Sequence, residues 1–157
     1  MNWHEYYLNQ LPQVAAKSKD PSTKVSCIAV SEEHHSLLST FNGFAIGVKD
    51  NIMEVAERYE RPLKYSFILH AEQNLVSLAA RHGIRLKSCT VYIGWHPCNV
   101  CANLLIQAGV RQIVIDGDSK EYNDQRLQER WKESVEIAST LFSEAKVEVL
   151  VYHRESK

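Results

Sequence analysis

His70-Ala71-Glu72 and Pro97-Cys98-Asn99-Val100-Cys101 bring together an imidazole, two thiols at C-x-x-C spacing and a carboxylate two residues after the imidazole. One His and two Cys form a ligand set for zinc, and three protein ligands leave the fourth tetrahedral position open. That is the layout of a catalytic zinc rather than a structural one. A structural site would need a fourth protein ligand, and the spare thiols, Cys27 and Cys89, sit in apolar strand patterns that suit small core residues. Two thiolates and a neutral imidazole balance the charge of Zn²⁺. With water in the open position, the chemistry expected is hydrolysis. Glu72 points to a different side from the ligand two residues before it. It is the candidate to take the water proton as a general base.

The elements that must position these groups can be read from periodicity and punctuation. From His70 to His82, Ala71, Leu75, Leu78 and Ala79 form an apolar stripe at helical spacing, and Gly83 suits the C-terminal stop. Cys98 to Ala108 reads as a second helix, with Pro97 at its start and Gly109 after its end. Cys98 and Cys101 then lie one turn apart on one face, where the positive helix end favours thiolates. Asn2 to Lys17 reads as a first helix, kinked or broken at Pro12. Lys24–Ser31 and Ser36–Phe41 form a hairpin through the polar Glu32-Glu33-His34-His35 loop. Asn42 to Lys64 is irregular, with Gly43 and Gly47 marking a loop and a short helix between Asp50 and Arg61, and its length points to function. Strands follow over Cys89–Trp95, Gln112–Asp116 and Val147–Tyr152. A polar loop spans Asp118–Gln128 and a long helix Glu129–Ala145. The order α-β-β-α-β-α-β-α-β predicts a mixed sheet with helices on both faces, and it sets His70 and Cys98 at the N-termini of neighbouring helices.

Composition narrows the partners. The chain of 157 residues is 45% hydrophobic and 24% charged, the balance of one soluble globular domain over 1–157. No apolar run is long enough for a membrane span, and the N-terminal residues lack the basic and apolar regions of a signal peptide. These features give a cytoplasmic expectation, with the four cysteines reduced. The formal net charge is −1 and the pI about 6.6, which argues against a grip on long nucleic acid and for a small ligand needing a few local cations. Arg58, Arg61 and Lys64 ahead of the His motif, and Arg126 and Arg130 in or after the late polar loop, are the candidates for a phosphate. Each taken alone reads as a surface charge. Trp95 and His96 precede the second site helix and are candidate substrate contacts, although aromatic residues at strand ends more often serve the core or an interface. Trp131 reads as helix packing or an oligomer contact, and His34-His35 as solvent-exposed.

H-x-E followed by P-C-x-x-C is the signature of zinc-dependent nucleobase deaminases. Around it the chain resembles the cytidine and deoxycytidylate deaminase family, and within it the deoxycytidylate branch. The residues carrying the resemblance are Asp20-Pro21-Ser22-Thr23-Lys24-Val25; Phe41-Asn42-Gly43-Phe44 with Gly47-Val48 and Asp50; Lys64-Tyr65 ahead of His70-Ala71-Glu72-Gln73-Asn74; Pro97-Cys98 with Cys101-Ala102; Ile106-Gln107-Ala108-Gly109-Val110; and Glu144-Ala145-Lys146-Val147-Glu148-Val149. The resemblance implies an α/β, cytidine-deaminase-like three-layer α-β-α sandwich with a mixed five-stranded sheet. It implies zinc on His70, Cys98 and Cys101, with Glu72 as the proton carrier. It also implies hydrolysis of dCMP to dUMP and ammonia, and a homo-oligomer, dimer or hexamer. Asn42 would bind sugar or base, and the Ala71 backbone N–H could read a base edge. Some members of the family are regulated by dCTP and dTTP through the Asn-Gly loop. The chain departs from the family at Thr40-Phe41-Asn42-Gly43-Phe44-Ala45, where Gly-Tyr and a later Pro are usual. It departs again at Gly94-Trp95-His96-Pro97, and at Lys146, where Gly is frequent. Deaminases of other amino-substituted rings (cytidine, guanine, a pterin, adenosine in tRNA) are the enzymatic alternatives, and a zinc-stabilised binding module is the non-enzymatic one.

Overall fold

The computed structural model describes residues 1–155. Two short helices open the chain, α1 (Trp3–Leu8) and α2 (Leu11–Ala15). The expected break falls ahead of Pro12, at Asn9-Gln10, so the proline sits in the first turn of α2, where a missing N–H costs nothing. The hairpin follows as β1 (Ser26–Val30) and β2 (Ser36–Phe41). The loop residue His34 is exposed, as expected, and its ring stacks on Trp3 at 4.6 Å. The irregular stretch holds β3 (Gly43–Phe44), α3 (Ile52–Val55), a 3₁₀ turn over Ala56–Tyr59, and α4 (Lys64–Phe67) running into β4 (Ile68–Leu69), which pairs with β3. Then come α5 (Ala71–His82), β5 (Thr90–Ile93), α6 (Asn99–Gln107), β6 (Gln112–Asp116), α7 (Gln125–Glu144) and β7 (Glu148–Tyr152).

The main sheet has five strands in the order β2-β1-β5-β6-β7. β1 is antiparallel to both β2 and β5, while β5, β6 and β7 run parallel, so the sheet is mixed. Strand side chains alternate between faces. Cys27, Ala29, Val91, Ile93, Ile113 and Ile115 pack under α5, α6 and α7 through Leu75, Ala102, Leu105, Ala138 and Phe142. Ile28, Val30, Tyr92 and Val114 face the other way, against Tyr7, Leu8 and Leu11 of α1 and α2. Helices cover both faces, which is the three-layer α-β-α sandwich expected. Cys27 belongs to this core, and burial, followed by the neighbouring Glu72, pushes its thiol up.

α7 starts four residues earlier than the expected Glu129, because Asp124 caps it by accepting from the Arg126 N–H at 2.9 Å. This extra turn decides what the helix presents to the site. At its other end Lys146 takes a left-handed backbone, φ 58, at a position where glycine pays no steric cost. Among the described residues no helix is long and apolar enough to cross a membrane.

Candidate active site

Both site motifs sit at helix starts. His70 is the N-cap of α5, and its backbone N–H donates to Gln73 Oε1 at 2.7 Å. Cys98 is the N-cap of α6, and its sulfur accepts from the Cys101 N–H. The last residues of β5 and the packing of α5 against α6 bring the two caps together. His70 Nδ1 lies 3.5 Å from Cys98 Sγ and 3.4 Å from Cys101 Sγ. The three ligand atoms all fall within 4.8 Å of one another, a spacing and donor set that fit one tetrahedral zinc. Hydrogen bonds from the Cys101 thiol, the His70 ring and the Cys101 N–H hold the Cys98 thiol down to about 4. Cys101, the donor of the pair and fully buried, is pushed up.

Glu72 is 4% exposed and borders the cleft above this cluster. Burial pushes its carboxyl up to about 7, against the pull of the His70 ring. Thr40 donates to the Ala71 carbonyl at 2.8 Å, tying β2 to the first turn of α5 between His70 and Glu72.

The cleft has a cavity of about 110 Å³ and takes in all the expected substrate contacts, Asn42, Ala71, Trp95 and His96. Asn42 also has structural duties. Its side-chain oxygen accepts from the Val25 N–H at 2.9 Å, and its amide donates to the Thr23 carbonyl at 2.9 Å and to Asp20 Oδ2 at 3.4 Å. Both of its N–H groups are therefore engaged, and what it can still offer a ligand is a lone pair rather than a donor. Trp95 and His96 meet edge to face, both near Tyr122, and burial lowers the His96 ring below its ordinary value.

The five candidate cations separate by position. Lys64 is no surface charge. It is 5% exposed and donates to Asp20 Oδ2 at 2.8 Å and Ser22 Oγ at 2.9 Å, while Asp20 is 1% exposed. Arg58 packs over the Phe67 ring and donates to the Lys49 carbonyl, away from the cleft. Arg126 pairs with its own cap, Asp124, in solvent. Arg61 and Arg130 remain. Both are exposed and both line the cleft, as does Lys64 from within. Sequence reasoning missed Leu127, Trp131 and Val135 of α7, which also border the cleft. Arg130, Trp131 and Val135 fall within the helix expected from Glu129, and Leu127 joins them on one face only because the helix starts earlier.

A mixed sheet with helices on both faces, two helix caps converging on a His-Cys-Cys cluster, and a buried glutamate beside it define a zinc-dependent hydrolytic deaminase. The chain belongs to the cytidine and deoxycytidylate deaminase family: the model for the family's zinc-binding region matches residues 1–116. It is 33% identical over 148 residues to an uncharacterized deaminase in the luxG 3′ region of Aliivibrio fischeri, covering 94% of this chain and 91% of that one. It is 30% identical over 127 residues to human deoxycytidylate deaminase, covering 80% and 70%. Its fold is similar to that of the dCMP deaminase of cyanophage S-TIM5, solved with dCMP and dUMP, at a TM-score of 0.70 and 22% identity over 94% and 95% of the two chains.

Proposed function

We propose that the chain, acting as one deaminase domain over 1–157, hydrolyses dCMP to dUMP and ammonia. The observation that carries the phosphate part of this reading is the pair Arg61 and Arg130, two exposed guanidiniums on the rim of a cleft that is otherwise mostly apolar and ends at the His-Cys-Cys cluster. Guanidinium groups suit a phosphate through paired hydrogen bonds. Similarity to deoxycytidylate deaminases supports the base and sugar.

His70, Cys98 and Cys101 are the proposed zinc ligands. Zinc, when bound there, supplies a Lewis acid that lowers the pKa of water to about 7. Glu72 is the proposed proton carrier. Its carboxylate accepts a proton from the attacking water and delivers it to the ring nitrogen as the tetrahedral carbon forms, then carries the remaining proton of that oxygen to the amino group, which leaves as ammonia as the C–N bond breaks and the carbonyl forms. Ala71 offers its backbone to the base edge. Trp95 and His96 close the side of the cleft next to α6, and Asn42 holds the β2 end of the wall in place. The chain is proposed to act in the cytoplasm as a homo-oligomer, dimer or hexamer.

The test is a panel of free dCMP, dCTP, deoxycytidine, CMP, guanine and pterins, scored by ammonia release. dCMP is expected to turn over fastest, with deoxycytidine far behind. Equal turnover of deoxycytidine would remove the role given to Arg61 and Arg130.

A further inference from the structure

We infer that Trp131 is the wall against which the substrate's heterocycle packs at the metal end of the cleft, held there by a hydrogen-bonded bridge between α7 and the turn that carries Cys98. The inference rests on the nucleotide reading above and assigns that site a specificity-determining residue.

α7 turns one stripe toward the cleft, with Leu127, Arg130, Trp131 and Val135 at the i, i+3, i+4 and i+8 positions of a single face. The stripe places a cation at the mouth and an indole one residue further in. The indole of Trp131 stands 5.9 Å from the His70 ring at an interplanar angle of 86°. The same imidazole turns its Nδ1 to both thiols, so Trp131 lies one ring away from the atoms that hold the metal. Tyr65 meets Trp131 in the same perpendicular manner, at 6.2 Å and 89°. Among the described residues no aromatic ring lies parallel to this indole, and a flat heterocycle is the partner that would use it. Trp95, the other cleft tryptophan, meets His96 and Tyr122, also edge to face, and among the described residues it makes no ring contact with His70.

The position of Trp131 is fixed from the next turn of the helix. Ser134 Oγ accepts from the Asn99 N–H at 2.9 Å and donates to Asn99 Oδ1 at 2.7 Å. Asn99 directly follows Cys98, so this reciprocal pair pins α7 to the first turn of α6. Any shift of the metal-bearing cap is shared by the indole one turn away. Packing alone would hold α7 on the sheet, whereas the bridge gives it one register over the site.

The test measures binding of dUMP, the product and therefore not turned over, to zinc-loaded protein by calorimetry, alongside kcat and KM for dCMP. In Trp131→Ala, dUMP binding should weaken about tenfold and KM for dCMP should rise with it, while kcat falls less. Trp131→Leu, which keeps an apolar side chain without an aromatic face, should show the same loss, and Trp131→Phe should restore most of the affinity. Ser134→Ala should weaken binding to a smaller extent with zinc content unchanged. Wild-type affinity for dUMP in Trp131→Leu, with one zinc per chain, would overturn the inference. Failure of the wild-type protein to bind dUMP or turn over dCMP would instead overturn the nucleotide reading itself.

Discussion

Asp20 and Lys64 show how much a single ion pair can organise. Asp20 Oδ1 accepts from the Ser22 N–H, the Ser22 hydroxyl and the Thr23 N–H, and Oδ2 accepts from Lys64 and Asn42. Burial alone would raise the Asp20 carboxyl, but the Lys64 ammonium and the Ser22 and Thr23 N–H groups outweigh it and hold it below the usual carboxylate range. With every oxygen lone pair facing a donor, the pair joins the lead-in to β1, the end of β2 and the start of α4 around the cleft. Removing one partner leaves the other charge buried, so Asp20→Asn or Lys64→Met is expected to cost about 3 to 5 kcal/mol in urea unfolding. The pH dependence has a definite sign. A depressed native pKa adds stability that is fully present above the unfolded value and is lost as pH falls through the lower native one. The wild-type protein should therefore lose stability on acidification below roughly pH 4, and Asp20→Asn should show a shallower slope there. Matching slopes in the two proteins would count against the pair. None of this was legible from residue types, since 44 positions separate Asp20 from Lys64 and charged residues are surface residues by default.

Elements with a strong period were legible almost to the residue. β2 and β6 span the ranges expected for them, and α5 and α6 begin one residue after the His and Cys that cap them. The same cannot be said of α7. Between Tyr122 and Trp131, Leu127 is the single apolar residue, so no periodic signal extends the helix backward, although Asp124 carried a capping signal of its own. That turn holds Leu127, and with Arg130 and Trp131 it makes α7 a wall of the site rather than a packing helix. The exit of α7 yields a prediction at this scale. Lys146 holds a left-handed conformation that costs a residue with a Cβ about 1 kcal/mol. Lys146→Gly is expected to regain part of that, partly offset by the freer unfolded chain, and to raise the thermal midpoint without changing activity. A lower midpoint would show that the Lys146 side chain contributes more than its backbone costs.

For the molecule as a whole, the sheet is a platform that delivers two helix caps to one point. β5 leads into the Cys98 cap, β2 braces the first turn of α5 through Thr40, and α7 closes the side left open. The architecture was legible because the alternation of strands and helices admits few arrangements. The metal cluster was legible because zinc chemistry restricts ligand type and spacing. The α7 side of the cleft was not, because the cleft is assembled from five separate segments whose closeness no local pattern encodes. The central claim is that His70, Cys98 and Cys101 hold the metal while Glu72 moves the proton. The most direct test compares zinc content and dCMP conversion in the wild-type protein and Glu72→Ala. The account predicts equal zinc and a loss of turnover of about 10² to 10⁴-fold in the variant. Full turnover by Glu72→Ala with its zinc in place would contradict it.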